Sequence, residues 1–205
     1  MKKICAIILA AGESKRMNEP KLLLPVNGRS MIEEVIRNVI SSNIFQTLVV
    51  LGSYRNEIAG NISHLPVRLC YNDNYRNGML SSVKCGFDNL PEEYDAVLVF
   101  QGDQPFIRTE VTSEIIRAYM ETGKGLVVPV YRNKRGHPLL LDQKYRKLIR
   151  TIPENEGLRW ILANYPEDIS EVKVRSEGIL RDIDTREEYL NEINRKLNKR
   201  DKRPV

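Results

Sequence analysis

Arg16 and Lys21 follow Gly12 closely in the stretch Leu9-Ala10-Ala11-Gly12-Glu13-Ser14-Lys15-Arg16-Met17-Asn18-Glu19-Pro20-Lys21. A small-residue turn exposes backbone N–H groups, which suit phosphate oxygens, and two cations on the same loop add the charge a polyphosphate demands. No Gly-Lys-Ser/Thr triplet follows Gly12, and the G-x-G-x-x-G spacing is missing, so this is neither the ATPase loop nor the dinucleotide fingerprint. A second chemical element is Phe100-Gln101-Gly102-Asp103-Gln104-Pro105, in which a carboxylate stands where an apolar run ends. Ligands of open α/β sheets gather outside the carboxyl ends of the strands. A carboxylate there can hold a hard cation such as Mg²⁺, which in turn bridges phosphate oxygens. The plainer role, capping the next helix, falls better to Thr109.

One carboxylate seldom holds Mg²⁺ well, so a partner is expected elsewhere. Asp182 and Asp184 flank Ile183 ahead of a helix; strand alternation would put both carboxylates on one side and Ile183 in the core. Either could complete the metal site, and Asp184 could instead serve only as a charge at the helix N-terminus. The polar run 72–82, from Asn72 through Gly78 to Ser81 and Ser82, reads physically as a turn and a helix N-cap. Arg135-Gly136-His137-Pro138 holds a lone histidine, a type more often structural than catalytic. His64 lies in a polar loop and takes no role.

These residues need a scaffold, and the apolar pattern supplies one. Runs at 4–10, 47–51, 67–71, 96–100 and 126–130 read as buried strands, nearly continuous in apolar residues as parallel strands are. Met31, Ile32, Val35, Ile36, Val39 and Ile40 form a helical stripe that Ser30 and Glu33 would cap. Val83, Phe87 and Leu90 mark another helix, as do Val111, Ile115 and Tyr119. The alternation predicts a single α/β domain with helices on both faces of the sheet. After Val130 the rhythm changes: 132–136 reads as a polar turn between the runs 127–131 and 139–141 of a hairpin, helices follow near 145–149 and 158–162, and strands near 169–174 and 179–183. Thr185 with Glu188 caps a last helix bearing Leu190, Ile193 and Leu197.

Composition narrows the class. The net charge of +5 comes from 32 basic and 27 acidic residues, but residues 194–205 carry six of the former and one of the latter. The remainder is balanced at 26 of each, so the basic excess is a tail property and argues against nucleic acid as a partner. Cys5, Cys70 and Cys85 are spaced too widely for a zinc or redox motif and point to a reducing cytoplasm. No apolar run reaches the ~18 residues of a membrane span, and the short run after Met-Lys-Lys reads as the first core strand.

The loop spelling L-A-A-G-x-S-x-R-M-x-x-x-K resembles the signature of nucleotidyltransferases built on an α/β domain that binds nucleoside triphosphates. It is most similar to the MobA-like NTP transferase family in its molybdenum cofactor cytidylyltransferase branch. The resemblance spans about residues 4–188, and Asn18 departs from it where Gly is common; Asn also tolerates positive φ, so the turn survives. It implies a mostly parallel, Rossmann-like sheet of the nucleotide-diphospho-sugar transferase type over 1–194, followed by a basic tail at 195–205. It implies a reaction of CTP with a molybdenum-bound pterin phosphate, with Mg²⁺ as cofactor and a molybdenum hydroxylase as the possible receiver of the product. Nucleotide binding would fall to Leu9, Ala10, Ala11, Gly12, Arg16, Lys21, Asn72, Gly78, Ser81 and Ser82. Arg16, Lys21 and Asp103 would carry catalysis; Asp103 with Asp182 or Asp184 would hold the metal. Arg135, Gly136, His137 and Arg159 would face the acceptor. A sugar or polyol phosphate is the alternative acceptor, and a cofactor chaperone without turnover is the alternative outside catalysis.

Overall fold

The computed structural model describes residues 2–200, with side chains to residue 195. The first strand, β1 (Ile4–Ala10), is the centre of the design. Its alternate residues Ile4, Ala6, Ile8 and Ala10 enter one apolar cluster, while Cys5 and Ile7 enter another on the opposite face. Both faces of the strand are therefore dry. Full burial of each isoleucine contributes about 1.5–3 kcal/mol, and such a strand must be covered on both sides.

The chain continues through β2 (Pro25–Val26) and β3 (Arg29–Ser30), a two-stranded hairpin turning at Asn27-Gly28 with both φ positive, 57° and 82°. Then come α1 (Met31–Ile40), β4 (Gln46–Leu51), α2 (Arg55–Ile62) and β5 (Arg68–Tyr71). Next are α3 (Met79–Asp88), β6 (Ala96–Gln101), α4 (Thr109–Thr122), β7 (Leu126–Tyr131), β8 (Lys134–Arg135) and β9 (Leu139–Asp142). The chain closes with α5 (Arg146–Ile149), α6 (Arg159–Asn164), β10 (Ile169–Lys173) and α7 (Arg186–Arg200). The main sheet runs β10-β7-β9-β6-β1-β4-β5, with β8 paired to β7. Strands β6, β1, β4 and β5 are parallel, and β10 is parallel to β7; β9 runs antiparallel to both its neighbours. Buried residues of α1, α2, α4 and α7 join one cluster and those of α3, α5 and α6 the other, so helices cover both faces as the sequence pattern predicts.

Several local expectations are corrected. No strand forms at 179–183: residues Glu177–Leu180 make a 3₁₀ turn capped by Ser176, which accepts from the Gly178 N–H. A Cβ on Gly178 would lie 2.1 Å from the Phe106 carbonyl oxygen, so this segment packs by backbone against Phe106 and pairs with no strand. The run at 139–141 does more than return from β7; it enters the sheet between β6 and β7. Thr109 is not the N-cap of α4. Arg108 holds that position, and the Thr109 hydroxyl donates to the Asn38 carbonyl. Ser30 does cap α1 by accepting from Glu33 N–H, but the Glu33 carboxylate turns to Arg37, leaving the reciprocal half of the box unmade. On α7, Thr185 and Glu188 exchange both capping bonds, whereas Leu190 is exposed and Tyr189 is the buried anchor. The side chain of Leu197 lies outside the described residues, as do residues 201–205 of the basic tail, whose first part continues α7.

Candidate active site

Strands β1 and β6 lie side by side with Leu9 opposite Gln101, so both chains leave the sheet at the same edge. There the loop after β1 and the turn after β6 form one cleft of about 360 Å³. Leu9, Ala10, Ala11 and Gly12 line it, with Arg16 and Lys21 further along the loop. A Cβ at Gly12 would meet nothing within 4 Å, so this side of the loop is open to a ligand. At Gly52 a Cβ would lie 2.7 Å from Tyr75 Cβ and 2.8 Å from Ala11 Cβ, so that glycine lets the chain after β4 close against the loop. Ser53 N–H donates to the Ala11 carbonyl at 3.1 Å and fixes the approach.

Loop geometry follows from small polar residues. Ser14 and Asn18 both hold positive φ, 52° and 54°, so Asn18 takes the conformation that glycine would otherwise supply. Ser14 accepts at its carbonyl from Met17 N–H and Asn18 N–H, and at its hydroxyl from Lys21 N–H at 3.3 Å. The buried Met17 and Leu22 anchor the loop on the core.

Four charges converge. The Lys21 ammonium donates to Asp103 Oδ2 at 2.7 Å and to Asp184 Oδ1 at 2.8 Å, and Arg16 reaches Asp184 Oδ2 at 2.6 Å. Burial opposes the charge on Lys21, but the two carboxylates outweigh it and raise the pKa above its usual value. Burial likewise opposes the Asp184 anion, and Lys21 and Arg16 outweigh it, holding this carboxyl below the ordinary range. Backbone ties the pair together: the Ile183 N–H donates to the Asp103 carbonyl at 3.1 Å, with Ile183 fully buried.

Asp184, and not Asp182, therefore meets Asp103. The Asp182 side chain is exposed beside Glu188 and Asn191 in a shallow groove near α7. Burial, followed by the charges of Asp184, Asp103 and Glu188, pushes its pKa up. Asp103 Oδ1 is buried without a hydrogen-bond partner among the described residues. An orphaned carboxylate oxygen and a second carboxylate beside it are hard donors, fitting a small divalent cation that takes its remaining ligands from phosphate and water. Among the described residues no group of three or more His, Cys, Asp or Glu could hold a metal.

The segment 72–82 divides. Gly78 and Ser82 line the cleft, with Tyr75 and Met79. Asn72 and Ser81 line a neighbouring groove. Asn72 is buried, and its amide donates to Ser81 Oγ at 2.8 Å and Ser82 Oγ at 2.9 Å while its carbonyl accepts from Asn74 N–H. Ser81 Oγ lies 2.9 and 2.8 Å from the Asn74 and Gly78 carbonyls, which share its single proton. These two residues brace the loop, and they leave Gly78 and Ser82 to face a ligand.

The acceptor-side residues also divide. The Gly136 N–H donates to the Pro129 carbonyl, and a Cβ on Gly136 would lie 2.3 Å from the Ile179 carbonyl oxygen. The His137 N–H donates to the same Ile179 carbonyl, and its ring Nε2 lies 3.2 Å from the Gln101 amide nitrogen. Burial lowers the His137 pKa, with Asp182 opposing, which favours a neutral ring able to accept from Gln101. Gln101 itself lines the cleft, two positions before Asp103, and the sequence reading missed it. The signal was available: Gln101 is the polar residue that ends an apolar strand at the carboxyl edge of the sheet. Arg135 instead pairs with Glu171 on the surface at 2.7 Å, and Arg159 is exposed at the start of α6 without lining the cleft.

A phosphate loop with two cations and a carboxylate pair, at the carboxyl edge of a mostly parallel sheet, define a nucleotide-binding α/β domain. The MobA-like NTP transferase domain matches residues 6–169. Molybdenum cofactor cytidylyltransferase from Escherichia coli (strain K12) is 26% identical over 192 residues, covering 93% of this chain and 95% of that protein. Nicotine blue oxidoreductase from Paenarthrobacter nicotinovorans is 25% identical over 197 residues, covering 90% of this chain and 94% of that one. The crystal structure of Rv0371c in complex with manganese, from Mycobacterium tuberculosis H37Rv, has the same fold. Its TM-score is 0.80 at 18% identity, over 94% of this chain and 98% of its own. The chain belongs to the MobA-like NTP transferase family and is a nucleotidyltransferase.

Proposed function

We propose that this enzyme transfers CMP from CTP to the phosphate of a molybdenum–pterin cofactor and releases pyrophosphate. The observation that carries the reading is the convergence of Arg16, Lys21, Asp103 and Asp184 on one cleft. An acceptor phosphate oxygen, already ionised near neutral pH, attacks the α-phosphorus; the bond to the β-phosphate breaks and pyrophosphate leaves with its electrons. No general base is needed, so the protein's task is to hold two anions in line and neutralise charge. Arg16 and Lys21 balance the outer phosphates and the leaving group. Asp103 and Asp184 would hold Mg²⁺, which when bound polarises the phosphoryl oxygens. The buried, unpartnered Asp103 oxygen supports this, as does a manganese complex of a protein with the same fold.

Cytosine is supported by the Leu9-Ala10-Ala11-Gly12 spelling of the loop, in which Ala11 lines the cleft and its methyl is packed toward Gly52. The pterin acceptor is supported by the cytidylyltransferase relative and by Gln101, which lines the cleft and meets the His137 ring. Three free thiols suit a reducing cytoplasm, from which the product would pass to a molybdenum hydroxylase. A sugar or polyol phosphate is the second reading. The observation favouring it is that Arg135 pairs with Glu171 on the surface and neither Arg135 nor His137 is among the residues lining the cleft. Measuring pyrophosphate release from CTP decides between them: the proposal expects release only with pterin phosphate. Release with a sugar phosphate in its place, or preference for GTP, refutes it.

A further inference from the structure

The Lys21 ammonium lies between the two carboxylates proposed as metal ligands, in contact with both, and its side chain is only 12% exposed. We infer that Lys21 is an internal counter-ion that keeps Asp103 and Asp184 from taking a divalent cation until a nucleoside triphosphate draws the lysine away, so that cation and nucleotide enter together. The inference rests on the metal assignment above.

Charge is the first argument. Asp103 and Asp184 are balanced by Lys21 and Arg16, so the cluster is neutral as it stands. A lone divalent cation would add charge beside an ammonium already at hydrogen-bond distance from the same two carboxylates. Their repulsion is poorly screened at a site this enclosed. Geometry is the second argument. An ammonium holds carboxylate oxygens at the 2.7 and 2.8 Å seen here, whereas Mg²⁺ requires about 2.0–2.1 Å in an octahedral arrangement. The Ile183–Asp103 backbone bond holds together the two segments that carry the carboxylates.

A triphosphate changes the balance. Its negative charge gives Lys21 and Arg16 new partners, and Lys21 can reach them without backbone movement. Its N–H is fixed by Ser14 at one end of the phosphate loop, while its long flexible stem lies along the cleft wall. The ammonium then swings from carboxylate to phosphate, and the oxygens it releases become available to the metal that arrives with the nucleotide. Lys21 is a positioning residue for the metal as well as a phosphate contact.

Mn²⁺ is the probe, followed by electron paramagnetic resonance and calorimetry on the whole protein without nucleotide. Lys21→Met and Lys21→Gln should each bind Mn²⁺ at least about tenfold more tightly than the unmodified protein. Adding Asp103→Asn to either should remove the gain. Mn²⁺ should also raise the unfolding midpoint of both variants and leave that of the unmodified protein unchanged. With an α,β-methylene analogue of CTP present, the unmodified protein should gain site-bound Mn²⁺ and the difference should close. Equal affinities without nucleotide overturn the inference. So does tight nucleotide-free binding by the unmodified protein that is lost in Asp103→Asn, a result independent of whether the lysine variants fold. If no form binds Mn²⁺ even with the CTP analogue, the assignment of Asp103 and Asp184 as metal ligands fails, and the inference falls with it.

Discussion

Asp184→Asn removes one negative charge from the cleft and leaves the local backbone intact. The Asp184 N–H still donates to Glu188, and the Thr185–Glu188 cap of α7 is untouched. Two cations contact the carboxylate: Lys21, with a side chain 12% exposed, and Arg16, 65% exposed. A hydrogen bond to a charged group contributes about 1.5–3 kcal/mol where water is excluded, and an exposed ion pair about 0–1 kcal/mol. Asn keeps one acceptor oxygen, so the net loss at neutral pH should be about 1–2 kcal/mol. For a chain of this size that lowers the unfolding midpoint by roughly 3–6 °C. Turnover should fall further, about 10²-fold or more, because a charge in the water-poor reaction site is lost. The Asp184 pKa is depressed in the folded protein, so its stabilisation is present above the unfolded value of 3.8 and lost as pH falls through the lower folded value. The stability gap between the two proteins should therefore be full near neutrality and close only in acid below that range. Asp182→Asn is the control. Its exposed side chain should change stability by no more than about 0.5 kcal/mol and leave turnover near the unmodified rate. Pyrophosphate release and thermal unfolding, measured on both variants, settle the matter. Loss of activity in Asp182→Asn with normal activity in Asp184→Asn would refute the reasoning.

Three further outcomes are expected. Arg16→Ala should lower kcat/KM for CTP by about 1.5–3 kcal/mol while CMP affinity changes little; calorimetry showing equal losses for the two nucleotides would remove Arg16 from the outer phosphates. Ala11→Gly should narrow the preference for CTP over GTP by about 1–3 kcal/mol in direct competition, since only a methyl is lost, and an unchanged ratio would place discrimination elsewhere. For His137 the folded pKa is lowered by burial from 6.5, so the unfolded chain takes up the proton first and stability declines as pH drops from 6.5 toward the lower folded value. His137→Gln should lack that decline in unfolding scans between about pH 7 and pH 5, and an identical slope would mean the ring is protonated as easily in the fold as outside it.

The two strongest sequence elements were legible because each is contiguous. An apolar strand, a turn and two cations within the first 21 positions needed no long-range information, and the Gly102-Asp103 turn was equally local. What depended on distant parts of the chain was not. Asp182 and Asp184 could not be told apart by alternation, since residues 181–184 form no strand; what separates them is that Lys21 and Arg16 contact Asp184 while Asp182 lies in the groove near α7. Arg135 and His137 look equivalent in a four-residue motif, yet one turns to Glu171 and the other to Gln101. Cys70 and Cys85 are far apart in sequence, but their sulfurs lie 3.9 Å apart where α3 packs against β5. Helix α2 escaped the apolar pattern because Ile58 and Ile62 alone among its residues are buried. Strand β9 read correctly as extended, but its insertion between β6 and β7 is a matter of pairing that composition does not encode.

The bond from Ile183 to Asp103 also has a meaning in time. A ribosome delivers the phosphate loop first and Asp103 some eighty residues later, and the sheet between them can begin to form while synthesis continues. The second carboxylate follows some eighty residues after that, behind every strand of the described residues. Until it docks, Lys21 has Asp103 but not Asp184 as a carboxylate partner, and the charge cluster is incomplete. Completing the cluster thus waits on a segment made some eighty residues after Asp103.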